Sequence, residues 1–185
     1  MVSNYFQLVS ANKSAQAWVE TVIYTLIGLS IISLLLAIVL PQINQQKDRI
    51  ILEQSSGILL GLNDQINWII DKGPSNVVES GELSIRKGEL TIDGSLDILK
   101  FKTDSEYLYS EPGQTIKIHD IYALTNKTGK KYIVTLYINY SGRMNLTWNG
   151  LDEKKTLQQS SVPYFLMLSN NGNTNSLVNI DFRIK

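Results

Sequence analysis

Hydrophobic and polar positions divide the chain into three stretches of different character. Residues 21–40 carry no Asp, Glu, Lys, Arg or His, and most of them are Ile, Leu, Val or Ala. A helix of that length spans ~30 Å, which is about the thickness of the hydrocarbon core of a bilayer. A water-soluble domain of this size has little use for a helix that is apolar on every face. The pattern therefore predicts one membrane-spanning helix near the N-terminus.

Beyond Pro41 the pattern becomes that of an amphipathic helix. Pro41 is expected to kink the helix or to free a backbone carbonyl near the outer membrane boundary. Gly73 and Pro74 predict that the helix ends near Lys72. We expect a helix over residues 16–72, ~85 Å long, of which about half projects beyond the membrane as a stalk. Spacings of three, four, seven and eight draw one apolar stripe along that stalk, which consists of Ile43, Ile50, Ile51, Ile58, Leu62, Ile66, Ile69 and Ile70.

Short β-branched and aromatic runs, separated by turn residues every eight to twelve positions, characterise the rest of the chain. Such a pattern is typical of an antiparallel β-sandwich. The expected fold class is α+β, with a long N-terminal transmembrane and stalk α-helix followed by an antiparallel β-sandwich head over residues 80–185. The candidate strands lie near residues 83–85, 90–92, 96–101, 107–109, 116–118, 121–124, 132–140, 145–148, 164–168 and 177–184.

Composition and charge argue against several classes of function. The 17 Lys and Arg residues balance 17 Asp and Glu residues, whereas a nucleic-acid-binding protein normally carries a basic excess or patch. The chain has no cysteine, so it has no disulfide framework, thiolate metal site or cysteine nucleophile. His119, the only histidine, stands beside Asp120 without a placed nucleophile, and a solvated loop is the simpler interpretation of Asp152 and Glu153. We expect no enzyme activity, no cofactor, no metal and no small-molecule substrate.

Aromatic residues are numerous in the predicted head. We expect them to fill the core of the sandwich, and a carbohydrate-binding face is the alternative. They are Trp148 and the tyrosines Tyr107, Tyr109, Tyr122, Tyr132, Tyr137 and Tyr140.

A short motif, Lys13-Ser14-Ala15-Gln16, precedes the apolar helix. A secretory signal places its small-residue cleavage site after the apolar core, whereas here the small residues stand before it. Cleavage at this point would remove a leader of residues 1–15 and leave the apolar helix on the mature chain. This arrangement resembles the class III signal of type IV pilins and archaeal pilin-like proteins. The run of residues 16–55 closely resembles pilin-like proteins of small-genome archaea. The motif before it departs from bacterial pilins at one position, because they carry glycine where Ala15 stands.

The resemblance implies a role for Glu20. In the family a basic and a small residue precede the scissile bond, and a glutamate often stands five residues into the mature chain. Carried over, a prepilin peptidase cuts between Ala15 and Gln16, and Glu20 occupies the fifth place. Because an unpaired carboxylate at the edge of an apolar span costs several kcal/mol, such a residue usually has a partner. Pairing with the new α-amino group of Gln16 in a neighbouring copy would set the register of a filament; otherwise Glu20 lies in the headgroup layer and marks the interface.

Two functions therefore remain open. In the first, the chain is a pilin-like structural subunit whose partners are the membrane, a prepilin peptidase and other copies of itself or related pilins in a helical filament. In the second, it is a non-polymerising single-pass protein whose β domain acts as an adhesin, receptor or assembly partner. Removal of the leader distinguishes the two.

An extracellular head is expected in either case. Lys13 on one side of the span and Lys47 with Arg49 on the other leave the positive-inside rule indecisive. Three acceptor sequons for N-glycosylation cluster in the head and favour an outer location; they begin at Asn126, Asn139 and Asn145.

Overall fold

The first element is a single long helix, α1 (Ser3–Lys72), which continues through Pro41. The computed structural model describes the backbone of residues 3–174 and 176–185 and the side chains from residue 16 onward except residue 175. The helix ends as predicted, because Gly73 adopts a left-handed φ of 88° and its N–H donates to the Ile70 carbonyl over 3.0 Å. Two compact units divide the chain, and their boundary falls inside α1, between Asn44 and Gln45.

The second unit, Gln45–Lys185, contains two β-sheets. Its strands are β1 (Val77–Glu79), β2 (Glu89–Asp93), β3 (Ile98–Ser105), β4 (Thr115–Ile118), β5 (Ile121–Thr128), β6 (Lys131–Asn139), β7 (Met144–Trp148), β8 (Lys154–Gln158), β9 (Leu166–Thr174) and β10 (Leu177–Ile184). One sheet has the order β1-β9-β10-β7 and the other the order β4-β5-β6-β3-β2-β8. All these strand pairs are antiparallel except β10 with β7, which is parallel. The expected α+β class, a long helix followed by a β-rich head, is confirmed.

Two segments that were predicted as strands take other conformations. Near residues 83–85 the only pairing in the described chain is an isolated bridge between Leu83 and Tyr164. Residues 107–109 form no strand, because the Ser105 hydroxyl bonds both the N–H and the carbonyl of Tyr107 locally. Such side-chain bonds to nearby backbone compete with sheet formation. Strands β1 and β8 were not predicted.

The second half of α1 forms part of the core of this unit. Its buried stripe follows the alternating spacing of three and four that keeps one helix face inward, and it consists of Leu52, Leu59, Leu62, Ile66 and Ile69, each at most 1% exposed. These side chains join one hydrophobic cluster with residues of both sheets. The stripe predicted from sequence is partly wrong, because Ile43 and Ile50 are exposed whereas Leu52 and Leu59 are fully buried.

Polar side chains also fix the helix to the strands and loops. The two carboxylate oxygens of buried Asp48 accept hydrogen bonds from Lys87 Nζ at 2.7 Å and from the Glu106 N–H at 2.6 Å. Further along the same helix, Asn63 Oδ1 accepts a hydrogen bond from the Tyr140 hydroxyl at 2.8 Å, and Asn63 Nδ2 donates one to Asp120 at 3.3 Å. Burial raises the pKa of the Tyr140 hydroxyl well above its ordinary value.

Candidate functional site

The apolar segment of α1 presents hydrophobic side chains outward in the first unit. Large apolar side chains from Trp18 to Leu40 are exposed, with Leu34 at 66%. Each hydroxyl inside the segment bonds within the helix: Thr21 to the Ala17 carbonyl, Thr25 to Val22, Ser30 to Leu26 and Ser33 to Leu29. Because these Ser and Thr hydroxyls bond backbone carbonyls of the helix itself, residues 21–40 are compatible with the requirement that a membrane core places on a helix. Residues 16–72 include one helix long and apolar enough to cross a membrane, which is compatible with a single-pass membrane protein.

Glu20 lies at the N-terminal edge of this apolar surface. Its carboxylate accepts one hydrogen bond, from the Tyr24 hydroxyl at 3.3 Å. No Lys or Arg forms a salt bridge with Glu20 among the described residues. Gln16 is exposed four positions earlier, so the two residues share one face of the helix.

The processing motif is only partly described by the structure. The side chains of Lys13, Ser14 and Ala15 lie outside the described residues, as do Met1 and Val2. The backbone of the predicted leader is helical from Ser3.

The three sequons differ in accessibility. Asn126 and its partner Thr128 are exposed at the end of β5. Asn139 is exposed at the end of β6, where its side-chain oxygen accepts the N–H of Ser141 at 2.9 Å. Asn145 is half-buried in β7 and donates to Asp152. The Thr147 hydroxyl of that third sequon is buried. Its oxygen lies 3.1 Å from Asn179 Oδ1 and 3.0 Å from Asp181 Oδ1, either of which can accept its single proton.

The two acidic and histidine pairs considered for catalysis or cation binding lie in exposed segments of the head. His119 and Asp120 lie in the exposed turn between β4 and β5, and not in a strand, with His119 at a φ of 56°. Asp152 and Glu153 precede β8 and are exposed. The described part of the chain holds no group of three or more His, Cys, Asp or Glu residues placed to bind a metal ion.

Two of the tyrosines expected in the core lie instead on the outer face of the six-stranded sheet. Tyr140 and Trp148 are buried, but Tyr122 and Tyr137 do not belong to the core cluster. The rings of Tyr122 and Tyr137 stack with centroids 5.3 Å apart and an interplanar angle of 19°. The period of two along β6 could have revealed this, because the buried positions of that strand are even-numbered and Tyr137 is odd.

Two cavities flank this tyrosine pair. One, of about 230 Å³, is lined by Lys117, Asp120, Tyr122 and Arg143 among others. The second, of about 360 Å³, is lined by Asp93, Leu96, Ile98, Lys100, Thr135 and Tyr137. Asn139 lines both.

Comparisons with protein-family models, with curated proteins and with solved structures find no match to this chain.

Proposed function

We propose that the chain is a pilin-like structural subunit of an archaeal type IV pilus-like surface filament, with its leader removed by a prepilin peptidase. The observation that supports this most directly is the exposed apolar surface of α1, which begins directly after the Lys13-Ser14-Ala15-Gln16 motif. In the membrane, lipid covers that surface. In a filament, the same segment of neighbouring copies covers it. Glutamine as the first mature residue resembles archaeal pilins in particular.

Assembly of this kind needs a polar contact as well as apolar packing. Lipid tails are as apolar as Leu, so exchanging lipid for another helix yields little hydrophobic free energy, and close packing and polar contacts drive association. Glu20 has one long hydrogen bond, to Tyr24, and no cationic partner among the described side chains. The α-amino group that cleavage creates at Gln16 of an adjacent copy supplies that cation and sets the axial register.

The unit that follows forms the outer surface of the proposed filament. The protein first resides in the cell membrane as a single-pass subunit with an extracellular head, and enters surface pili after processing. Among the three sequons, Asn126 and Asn139 have the exposure that a glycan requires, whereas the buried Thr147 hydroxyl disfavours modification of Asn145 once the unit has folded. Glycopeptide mass spectrometry of the native protein should find sugar on Asn126 and none on Asn145; the reverse occupancy would contradict this assignment.

The first experiment determines the N-terminus of the native protein by mass spectrometry. We expect a mature chain that begins at Gln16. Replacing Ala15 with Phe should block cleavage because the peptidase site accepts a small residue, whereas Ala11→Phe in the same leader should leave it unchanged. A chain that retains the leader would leave a membrane-anchored β domain that acts as an adhesin, receptor or assembly partner.

The second experiment tests the register contact by electron microscopy of sheared surface filaments. Glu20→Ala should abolish filaments while the cleaved protein accumulates in the membrane. Glu20→Asp keeps the charge and should retain part of the assembly. Asp71→Ala removes an exposed carboxylate near the other end of the helix and serves as the matched control. Wild-type filament numbers in Glu20→Ala would remove Glu20 from the mechanism.

A further inference from the structure

The outer face of the six-stranded sheet carries an ordered row of four side chains. Lys117, Tyr122, Tyr137 and Lys100 stand directly opposite one another on β4, β5, β6 and β3. Lys117 Nζ lies 5.5 Å from the centroid of the Tyr122 ring. Since Tyr122 stands between Lys117 and Tyr137 in the register, its two ring faces are occupied by these neighbours. The Tyr137 ring has Tyr122 on one side and borders the 360 Å³ cavity.

The aspartates near this face accept hydrogen bonds from the protein, whereas its lysines form no salt bridges. Asp120 accepts a hydrogen bond from Asn63, and Asp93 accepts one from the Leu96 N–H. Neither Lys100 nor Lys117 takes part in a salt bridge within the described chain. Within the row of four side chains, the two lysines therefore have no carboxylate partner among the described residues, and one stands on each side of the tyrosine pair.

This combination matches the chemistry of a sugar acid. The C–H bonds of a pyranose ring pack against an aromatic face, and binding sites typically join such an apolar surface to a few placed polar groups. Sugar hydroxyls donate to an exposed carboxylate such as Asp120, while a uronate carboxylate pairs with lysine. A DNA backbone, by contrast, offers acceptors only and has no hydroxyl that could donate to Asp120.

We propose that this face binds an acidic saccharide, with a sugar ring against Tyr137 and its carboxylates held by Lys100 and Lys117. The site belongs to the Gln45–Lys185 unit, so it stands whether or not the chain forms filaments. The proposal names a class of ligand for the head, which the filament proposal does not.

Binding of a galacturonate oligomer to the full-length protein in detergent micelles tests the proposal, with a neutral galactose oligomer as the matched probe. The protein is produced without glycosylation so that Asn139, which lines both cavities, carries no sugar of its own. Isothermal titration calorimetry should detect the acidic oligomer and show affinity that falls with added salt. Tyr137→Ala should weaken binding by about tenfold or more, whereas Tyr137→Phe should stay within about threefold of wild type.

Two lysines on strand β3 provide a matched comparison, because only one of them lies in the proposed site. Lys100→Gln should weaken binding by about fivefold, whereas Lys102→Gln, two positions along the same face of β3 and outside both cavities, should leave it unchanged. A urea unfolding curve for each variant checks that the fold is intact. Absence of galacturonate binding, equal affinity for the neutral oligomer, equal effects of the two lysine variants, or tighter binding of single-stranded DNA would each overturn the proposal.

Discussion

Replacing Leu59 with Ala should destabilise the Gln45–Lys185 unit, although this residue belongs to the segment that the sequence presents as a stalk. Leu59 is 0% exposed and belongs to the cluster that joins α1 to both sheets. A Leu→Ala substitution at a buried position loses the free energy of burying the side chain and leaves a cavity. Together these effects cost about 2–5 kcal/mol. Because Leu59 is fully buried and does not line the open groove of about 410 Å³ beside Gly57 and Gly61, we expect its truncation to leave an internal apolar cavity rather than to widen that groove. We therefore expect a loss of about 3–5 kcal/mol.

Urea unfolding of the full-length protein in detergent micelles measures this loss. Trp148, 7% exposed in the core, reports unfolding of the β-sheets by its fluorescence. The matched control is Ile50→Ala on the same helix, where the side chain is 50% exposed and the expected cost is below about 1 kcal/mol. The urea dependence of the unfolding free energy should not change, because the same surface becomes exposed on unfolding. Equal midpoints for the two variants would refute the conclusion that α1 is part of this core.

Three further substitutions address other contacts of the same unit. Asp48→Ala removes the closer carboxylate partner of Lys87 and leaves it only Asp104 at 3.4 Å. Because the lysine is partly exposed and keeps that second partner, the cost should be about 2–3 kcal/mol, below the about 3–5 kcal/mol of a fully buried pair, as read from urea midpoints. Gly88→Ala should destabilise the fold far more than Gly142→Ala. Both glycines have positive φ, but only at Gly88 would a Cβ lie 2.5 Å from a backbone oxygen, that of Lys102. The melting temperature of Gly88→Ala should therefore be clearly lower. Because burial raises the pKa of Tyr140 above its ordinary value of 10.0, the folded state holds that proton more tightly than the unfolded state, so the stability it contributes is present below about pH 10 and is lost as pH rises further. A urea series across that range should show a shallower fall for Tyr140→Phe, and parallel curves would contradict the assignment.

The sequence alone was sufficient to predict a structural element where the residues of one segment determine its conformation and surroundings. Residues 21–40 predict a membrane-compatible helix because no arrangement of the remaining chain would bury so many apolar side chains on all faces. Gly73 followed by Pro74 correctly predicted the helix end, since the left-handed cap and the absent N–H act at those positions alone.

Most strands were also predictable from alternation, with instructive exceptions. Strands β2 to β7 and β10 appear near the predicted positions, and β9 begins inside the predicted segment 164–168 but continues to Thr174. Strand β8 was not predicted because Lys154 and Lys155 make it polar, and it forms by pairing with β2. Residues 107–109 have strand-like composition, yet the Ser105 side chain bonds the backbone groups of Tyr107 that a neighbouring strand would have used. Asp48 binds the N–H of Glu106 just before them.

The sequence by itself determined that the chain contains an apolar helix followed by a β-rich unit and carries charges in balance, because each property is the sum of local residue preferences. Only the tertiary structure decided which face of the second half of α1 is buried, since isoleucines and leucines occur on more than one side of it and the sheets select one. It also decided that Tyr122 and Tyr137 meet on an outer face between two lysines. That meeting depends on the register of four strands, which no single segment contains.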